Sequence, residues 1–207
     1  MLSVYSKASS PDEEINTIIA ATSICESVVL KKWQKISTAD SNYIHIIVSG
    51  EVEFRRESDE LCMFTLNGNG IFGLSSIYCD SQHMYGLVRS TTVVRSIKKE
   101  TFNQILSDNN LWPALSRVLS WYICLLSKRD NILVARSAYA IVREFLLEIN
   151  EIMVQQQRAV NIYDYIQEYT SLARSTIIKI LSDLKKGGYI AVDKGRLLNI
   201  TSLPEKY

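Results

Sequence analysis

The chain has 207 residues, of which 47% are hydrophobic and 22% are charged, and its formal net charge is +1. This composition is that of an ordinary globular protein with room for two modest domains, and it excludes a disordered tail. The sequence has no apolar run of about 18 residues, which argues against a transmembrane span. Residues 1–14 lack the basic and apolar regions of a secretion signal, so we expect a cytoplasmic protein that does not bind membranes.

The first half of the chain is typical of β structure. Short runs rich in Val, Ile, Tyr and Thr alternate with turn residues such as Asn67-Gly68 and Asn69-Gly70. Many short strands at this spacing favour a sandwich or a roll. The predicted strands are Val28–Lys31, Tyr43–Ser49, Val52–Arg56, Leu61–Leu66 and Leu87–Ile97. A helical pattern returns at Lys98–Leu106.

The longest predicted helix runs from Leu111 to about Ala135, with Pro113 in its first turn. Its apolar residues recur about every 3.5 positions, and further apolar residues widen the stripe. A stripe this broad can face both its own domain and a partner helix, so we expect a parallel homodimer. The alternative is a helix that packs entirely on its own β domain. The predicted dimerisation residues are Leu111, Leu115, Val118, Tyr122, Leu125 and Ile132.

After a further predicted helix, Ala138–Ile152, the sequence changes to the pattern of a winged helix-turn-helix. Asn161 can cap a short helix over Ile162–Tyr169, and Thr170–Leu172 is a turn of the length this motif uses. A second helix starts near Ala173 and ends at Gly187-Gly188. Residues 189–200 form a hairpin with a basic tip. This order of elements predicts a DNA-binding domain.

The second helix of this motif has two sharply different faces. Its apolar residues, Ala173, Ile177, Ile180, Leu181 and Leu184, form one stripe, and polar and basic residues occupy the other side. Residues 170–198 contain six Lys or Arg and two Asp, a local charge of +4. The alternative is an ordinary surface helix with solvated lysines. The predicted DNA-binding residues are Arg174, Ser175, Ile178, Lys179, Ser182, Lys185, Lys186, Lys194 and Arg196.

Four segments together resemble the Crp/Fnr family of bacterial transcription regulators: Ile46–Glu53, Gly70–Tyr78, Leu87–Leu106 and Thr170–Gly188. The resemblance implies an α+β chain with an N-terminal cyclic-nucleotide-binding-like β-roll, a long dimerisation helix and a C-terminal winged helix-turn-helix. The corresponding domains are residues 1–108, 109–136 and 137–207. It also implies a homodimer on double-stranded DNA, with RNA polymerase as a further candidate partner.

The sequence departs from the family at the positions that hold cyclic AMP in its relatives. The Gly-Glu pair for the ribose corresponds to Gly73-Leu74, and the Arg-Ser pair for the phosphate corresponds to Met84-Tyr85. The pair that contacts adenine corresponds to Leu126-Ser127. An apolar pocket cannot compensate for the free energy that is lost when a phosphate is removed from water. We therefore expect no cyclic-nucleotide response and no cofactor. The roll is then either a scaffold or a site for an apolar effector.

The recognition helix departs as well. Arg174 matches a base-reading arginine of the family, but Ser175 replaces the glutamate that accepts from cytosine, so the family's usual DNA half-site is not expected. Arg174, Ser175 and Lys179 are the predicted base readers, and Ile178 can touch a thymine methyl.

The remaining side chains give little support to an enzyme or a metal protein. His45 and His83 are the only histidines, and the cysteines, Cys25, Cys62, Cys79 and Cys124, match no metal-binding spacing. We expect neither enzyme activity nor a metal site, and the reactivity of the cysteines stays open. The predicted function is sequence-specific transcription regulation. The alternative is a regulator that acts through protein contacts or an apolar effector, without autonomous DNA binding.

Overall fold

The computed structural model describes residues 10–37, 42–79, 83–157 and 160–205. The described residues divide into two compact units, one within residues 10–124 and the other within residues 125–205. The division falls within the longest helix. Each unit has its own core, and each is described in turn.

The first unit consists of eight strands and the helices around them. The strands form two four-stranded sheets, in the orders β1-β8-β3-β6 and β2-β7-β4-β5, and every pairing is antiparallel. The strands are β1 Val28–Leu30, β2 Lys35–Ile36, β3 Tyr43–Ser49, β4 Glu51–Arg56, β5 Cys62–Asn67, β6 Gly70–Phe72, β7 Met84–Val88 and β8 Thr92–Lys98. The helices of this unit are α1 Asp12–Ala21, α2 Lys99–Asp108 and the start of α3 Trp112–Leu133, and a 3-10 turn covers Leu74–Ile77.

Aromatic side chains fill the space between the two sheets. The ring of Phe54 lies 3.9 Å from that of Phe72 and 4.9 Å from that of Phe64, measured between centroids. His45 stacks against Phe72 at 6.4 Å. Large buried rings of this kind contribute strongly to a core because each removes a large apolar area from water.

A second cluster covers the other face of the first sheet. Ile44 and Ile46 of β3 pack there with side chains from α1, α2 and α3, including Ile15, Phe102 and Leu115. Alternate residues of β3 therefore face two different apolar layers, which explains why this strand has a nearly continuous buried run.

The second unit contains the end of α3, three further helices and a two-stranded hairpin. The elements are α4 Ala138–Gln156, α5 Ile162–Tyr169, α6 Arg174–Lys186, β9 Ile190–Asp193 and β10 Arg196–Ile200. Phe145 of α4 packs against the rings of Tyr165 and Tyr169 on α5. The Tyr165 hydroxyl donates a 3.0 Å hydrogen bond to the buried Glu148 on α4.

Several details of the fold differ from the sequence prediction, which has no counterpart for the short strands β2 and β6. The single strand expected over Leu87–Ile97 is two strands, β7 and β8, joined by a short turn at residues 89–91. The helix α1 was not expected at all. The helices predicted at 162–169 and from about residue 173 have the expected positions.

Candidate nucleic-acid interface

Asn161 fixes the beginning of α5. Its side-chain oxygen accepts hydrogen bonds from the backbone N–H groups of Tyr163 and Asp164, at 3.0 and 3.3 Å, which satisfies donors that a helix start leaves free. The backbone N–H of Ile162 donates to the carbonyl of Gly195 in the hairpin, at 2.8 Å. The start of α5 and the tip of the hairpin therefore hold one another in place.

Thr170 organises the turn between α5 and α6. Its hydroxyl donates to the carbonyl of Ile166 at 2.7 Å and accepts from the backbone N–H of Leu172 at 3.3 Å. Its side chain is buried. These two bonds fix the direction in which the chain enters α6.

The helix α6 is anchored by one apolar face. Ile177, Ile180, Leu181 and Leu184 are all at most 4% exposed, and burying each such side chain contributes ~1.5–3 kcal/mol. At the C-terminal end, Gly188 has φ of +73° and the backbone N–H of Tyr189 donates to the carbonyl of Leu184, a termination that favours glycine. The opposite face is thereby held outward as a rigid surface.

That outward face carries the residues predicted to bind DNA. Ser182 is half-buried, and the others are exposed: Arg174, Ser175, Ile178, Lys179, Lys185 and Lys186. The hairpin adds Lys194 and Arg196, both exposed. Lys194 and Gly195 have φ of +45° and +78°, as the tight two-residue turn of a hairpin requires. Helix and hairpin tip therefore present separate sets of cations.

The guanidinium of Arg174 is oriented by α5. Its Nη1 donates to the side-chain oxygen of Gln167 at 3.0 Å and lies 3.4 Å from Asp164 Oδ1. The ring of Tyr163 lies 5.9 Å from the guanidinium carbon. The Arg174 side chain is still 54% exposed, so it is positioned by its neighbours and remains accessible to a ligand.

Lys179 borders an open cavity of about 600 Å³ that Thr176, Tyr139 and Glu205 also line. The Tyr139 hydroxyl donates to the carbonyl of Pro204 at 2.6 Å, and burial of the ring raises the pKa of Tyr139. This hydrogen bond fixes the C-terminal segment to the start of α4, close to Lys179 of α6.

Comparison with known proteins agrees with this geometry. A family model described as winged helix-turn-helix DNA binding matches residues 138–205. The inhibitor of hydrogen peroxide resistance from Escherichia coli (strain K12) is 29% identical over 164 residues, which are 78% of each chain.

Solved structures extend the likeness to both units. The c-di-GMP-responsive regulator CLP of Xanthomonas campestris has a TM-score of 0.70 at 10% identity, covering 92% of this chain and 100% of that one. A transcriptional regulator of the crp/fnr family from Eubacterium rectale has a TM-score of 0.65 at 17% identity, covering 95% and 90%. The chain has the Crp/Fnr fold. Its C-terminal part is a winged helix-turn-helix DNA-binding domain, which confirms the predicted fold class and DNA-binding class.

Within this Crp/Fnr roll, the predicted effector-pocket residues Met84 and Tyr85 are neighbours on β7. Tyr85 lies beside Arg55 in the register of β7 and β4, its hydroxyl donates to Glu60 at 3.5 Å, and Lys35 Nζ lies 4.3 Å from its ring centroid. Met84 precedes it on the same strand and so points to the other face. The two side chains therefore point to opposite faces of β7, and the effector pocket stays a prediction.

Of the other predicted pocket residues, Gly73 and Leu74 belong to the first unit, and Leu126 and Ser127 to the second. Gly73 has φ of +89°, and Leu74 is buried in the cluster with Ile44 and Phe102. Leu126 and Ser127, both exposed, belong to the second unit. The space between the sheets holds the Phe54, Phe64 and Phe72 rings instead.

Much of the predicted dimerisation stripe on α3 is buried within the chain. Leu111, Leu115 and Val118 are at most 8% exposed and belong to the core cluster of the first unit. The Tyr122 hydroxyl donates to the carbonyl of Ile71 at 2.8 Å, and burial raises the Tyr122 pKa. Leu125 is buried and Ile132 half-buried. Leu111, Leu115, Val118 and Tyr122 therefore make contacts within the first unit, and a role of the stripe in dimerisation stays a prediction.

The helix nevertheless exposes other apolar side chains. Ile123 is 64% exposed and Leu126 is 42% exposed, and they are three positions apart, on neighbouring parts of one helix face. Ile123 lies outside the regularly spaced apolar stripe, so the spacing alone does not indicate that this side chain is exposed.

The four cysteines form no disulfide: Cys62 is buried, Cys25 is half-buried, and Cys79 and Cys124 are exposed. Among the described residues, no group of three or more His, Cys, Asp or Glu is placed to hold a metal ion. Within the same ranges, no helix has the length and apolar character needed to cross a membrane.

His45 gives a pH-dependent prediction. Burial lowers its pKa, with a smaller opposing effect from a backbone hydrogen bond at Ser37, and its Nδ1 lies 3.0 Å from the Ser96 hydroxyl. A lowered pKa in the folded state means that His45 contributes stability above its unfolded pKa of about 6.5 and loses it as the pH falls through the folded pKa. The stability advantage of wild type over His45→Asn should therefore shrink from about pH 8 to about pH 5.

Denaturant unfolding across this pH range measures the effect. The exposed His83 is the control, and His83→Asn should follow the wild-type curve. A constant difference between wild type and His45→Asn over the whole range would contradict the prediction.

Proposed function

We propose that the protein is a homodimeric transcription regulator that binds an imperfectly palindromic DNA site through α6 of each subunit. The observation that carries this proposal is the outward face of α6, which presents Arg174, Ser175 and Lys179 on a helix whose other face is fully buried. A helix of this kind fits the major groove, where Arg and Lys side chains pair with guanine and hydroxyl groups with several bases.

The cations divide into two roles. Arg174 and Lys179, with Ser175, read base edges. Lys185 and Lys186 at the end of α6, and Lys194 and Arg196 at the hairpin tip, bind phosphates. Phosphate contacts fix the register of a protein on DNA without reading sequence, and base contacts supply specificity. Six Lys or Arg against two Asp over residues 170–198 supply the attraction.

The two subunits associate through the exposed face of α3 that carries Ile123 and Leu126. Both side chains leave a large apolar surface in water when the chain is alone, and pairing two such helices removes it. A two-fold dimer places its recognition helices in successive major grooves, about 34 Å apart.

Regulation by this protein is independent of cyclic AMP. Leu74 and Met84 supply neither the carboxylate nor the guanidinium that a ribose and a cyclic phosphate need, and packed aromatic rings occupy the space between the sheets. The relatives named inhibitor of hydrogen peroxide resistance support a role in the response to peroxide stress. RNA polymerase is the partner through which a bound dimer would change transcription.

The test is selection of fragments of genomic DNA by the purified full-length chain at about 150 mM salt. A recurrent palindromic site should emerge, and it should disappear for a control chain carrying Arg174→Ala and Lys179→Ala. Both residues are exposed on α6, so the control keeps its fold. Recovery of fragments without a shared sequence, or of the same site by the control, would rule out base reading by α6.

A further inference from the structure

The turn at Lys31–Gln34 holds a tryptophan in a backbone conformation that normally requires glycine. Trp33 has φ of +75°, and the backbone N–H of Gln34 donates to the carbonyl of Lys31 at 3.1 Å. A four-residue turn with a positive φ at its third position favours glycine because a side chain there is strained. Strained backbone of this kind is often found at binding sites, so the conformation indicates a functional role for the indole ring.

The ring is presented to solvent between two cations. Trp33 is 58% exposed, Lys32 Nζ lies 4.8 Å from its ring centroid and the guanidinium carbon of Arg89 lies 4.5 Å from it. The backbone N–H of Trp33 donates to the carbonyl of Val88 at 2.7 Å, which fastens the turn to the end of β7. The ring is thus held in place and not merely left outside the core.

A buried carboxylate fixes Arg89 beneath the ring. Glu53 is 5% exposed; its Oε1 lies 2.8 Å from Arg89 Nε, and its Oε2 lies 2.6 Å from Arg55 Nη2. Both oxygens of this carboxylate are engaged by arginines, so it adds little negative charge to the surface. Glu51, at the start of the same strand, is half-buried.

The segment that contains the ring is rich in exposed lysines. Lys31, Lys32 and Lys35 are exposed, and with Trp33 and Arg89 they form what we call the Trp33 platform. Trp and Arg are the residues that most often dominate protein interfaces. Lysines around them attract acidic groups and speed encounter with an acidic partner. The platform belongs to the first unit, and its residues do not belong to the proposed DNA-binding set.

We propose that the Trp33 platform binds an acidic segment of a partner protein. An apolar side chain of the segment packs against the exposed part of the indole ring that Lys32 and Arg89 leave open, and neighbouring carboxylates pair with Lys31, Lys32 and Lys35. The binding does not depend on the proposed DNA contacts.

The test uses a displayed library of random peptides, selected in parallel on the full-length chain and on Trp33→Gly. Glycine relieves the strained turn, so the variant should keep its fold, with a thermal midpoint within ~4 °C of wild type. Peptides enriched by wild type but not by the variant should be acidic. For a synthesised peptide from this set, Trp33→Gly should lower the affinity by ~30-fold, and added salt should weaken binding.

Two further variants make the result specific. Lys32→Glu reverses one charge of the platform and should also reduce binding of the acidic peptide, whereas Tyr78→Ala, at another exposed aromatic residue, should leave it unchanged. Enrichment that does not depend on Trp33, or enrichment of peptides without acidic residues, would overturn the proposal. A Trp33-dependent change in self-association or in DNA affinity, without any acidic peptide, would overturn it as well.

Discussion

Replacing Ile123 and Leu126 together by glutamate should convert the proposed dimer into a monomer and lower its affinity for the proposed palindromic site by ~10²- to 10⁴-fold. Both side chains are exposed on α3, so glutamate there is tolerated in a single chain. In a dimer the same change would bury unpaired charges, at a large free-energy cost. A monomer also loses the gain in affinity from binding two linked half-sites at once. Sedimentation velocity and DNA titration measure the two effects.

A matched control separates dimerisation from folding. Leu115 is on the same helix but is 2% exposed and lies in the core of the first unit. Leu115→Ala should lower the free energy of unfolding by ~2–5 kcal/mol because it leaves a cavity, and the folded protein should still dimerise. A double glutamate variant that sediments as a dimer would place the interface elsewhere on the chain.

The winged helix-turn-helix could be predicted closely because its signals are local. Asn161 marks the start of α5, and Gly187-Gly188 marks the end of α6. The helical period of the apolar residues indicates which face of α6 is buried. Each of these signals depends only on residues that are close together in the sequence. The structure has α5 and α6 where these signals put them.

The faces of α3 could not be predicted in the same way. An apolar stripe shows that a helix buries one side, but the sequence does not say whether its own roll or a second copy covers that side. Val118 and Ile123 are both apolar, and only the tertiary structure separates a residue with 0% exposure from one with 64%. Long-range packing decides this, and no local signal encodes it.

The surroundings of the predicted effector-pocket residues could not be predicted for a different reason. Resemblance to the family located Met84 and Tyr85 as a pair, but the strand β7 that contains them was expected to start only at Leu87. Once both lie in a strand, the two-residue period sends them to opposite faces. The strained turn at Trp33 had no sequence signal because tryptophan is not a residue expected at a positive φ.

Separate alanine variants should distinguish the two kinds of DNA contact on α6. Arg174→Ala and Lys179→Ala should each cost ~1–3 kcal/mol of binding free energy at the selected site and relax the preference at one base pair. The exposed Lys185 and Lys186 form the contrasting pair. Their joint replacement by alanine should weaken binding to all sequences. It should also reduce the slope of the logarithm of the binding constant against the logarithm of the salt concentration by about one for each lysine.

Asp164 provides a test in which DNA binding should become tighter. Its carboxylate lies 3.4 Å from Arg174 Nη1, and a negative charge at the DNA-facing surface opposes phosphates. Asp164→Asn should therefore tighten binding to specific and non-specific DNA alike, while Gln167 continues to orient Arg174 at 3.0 Å. Titration of the selected site and of a scrambled site at several salt concentrations measures these effects. If Arg174→Ala instead weakened both sites equally, Arg174 would be a phosphate contact, and base reading would rest on Ser175 and Lys179.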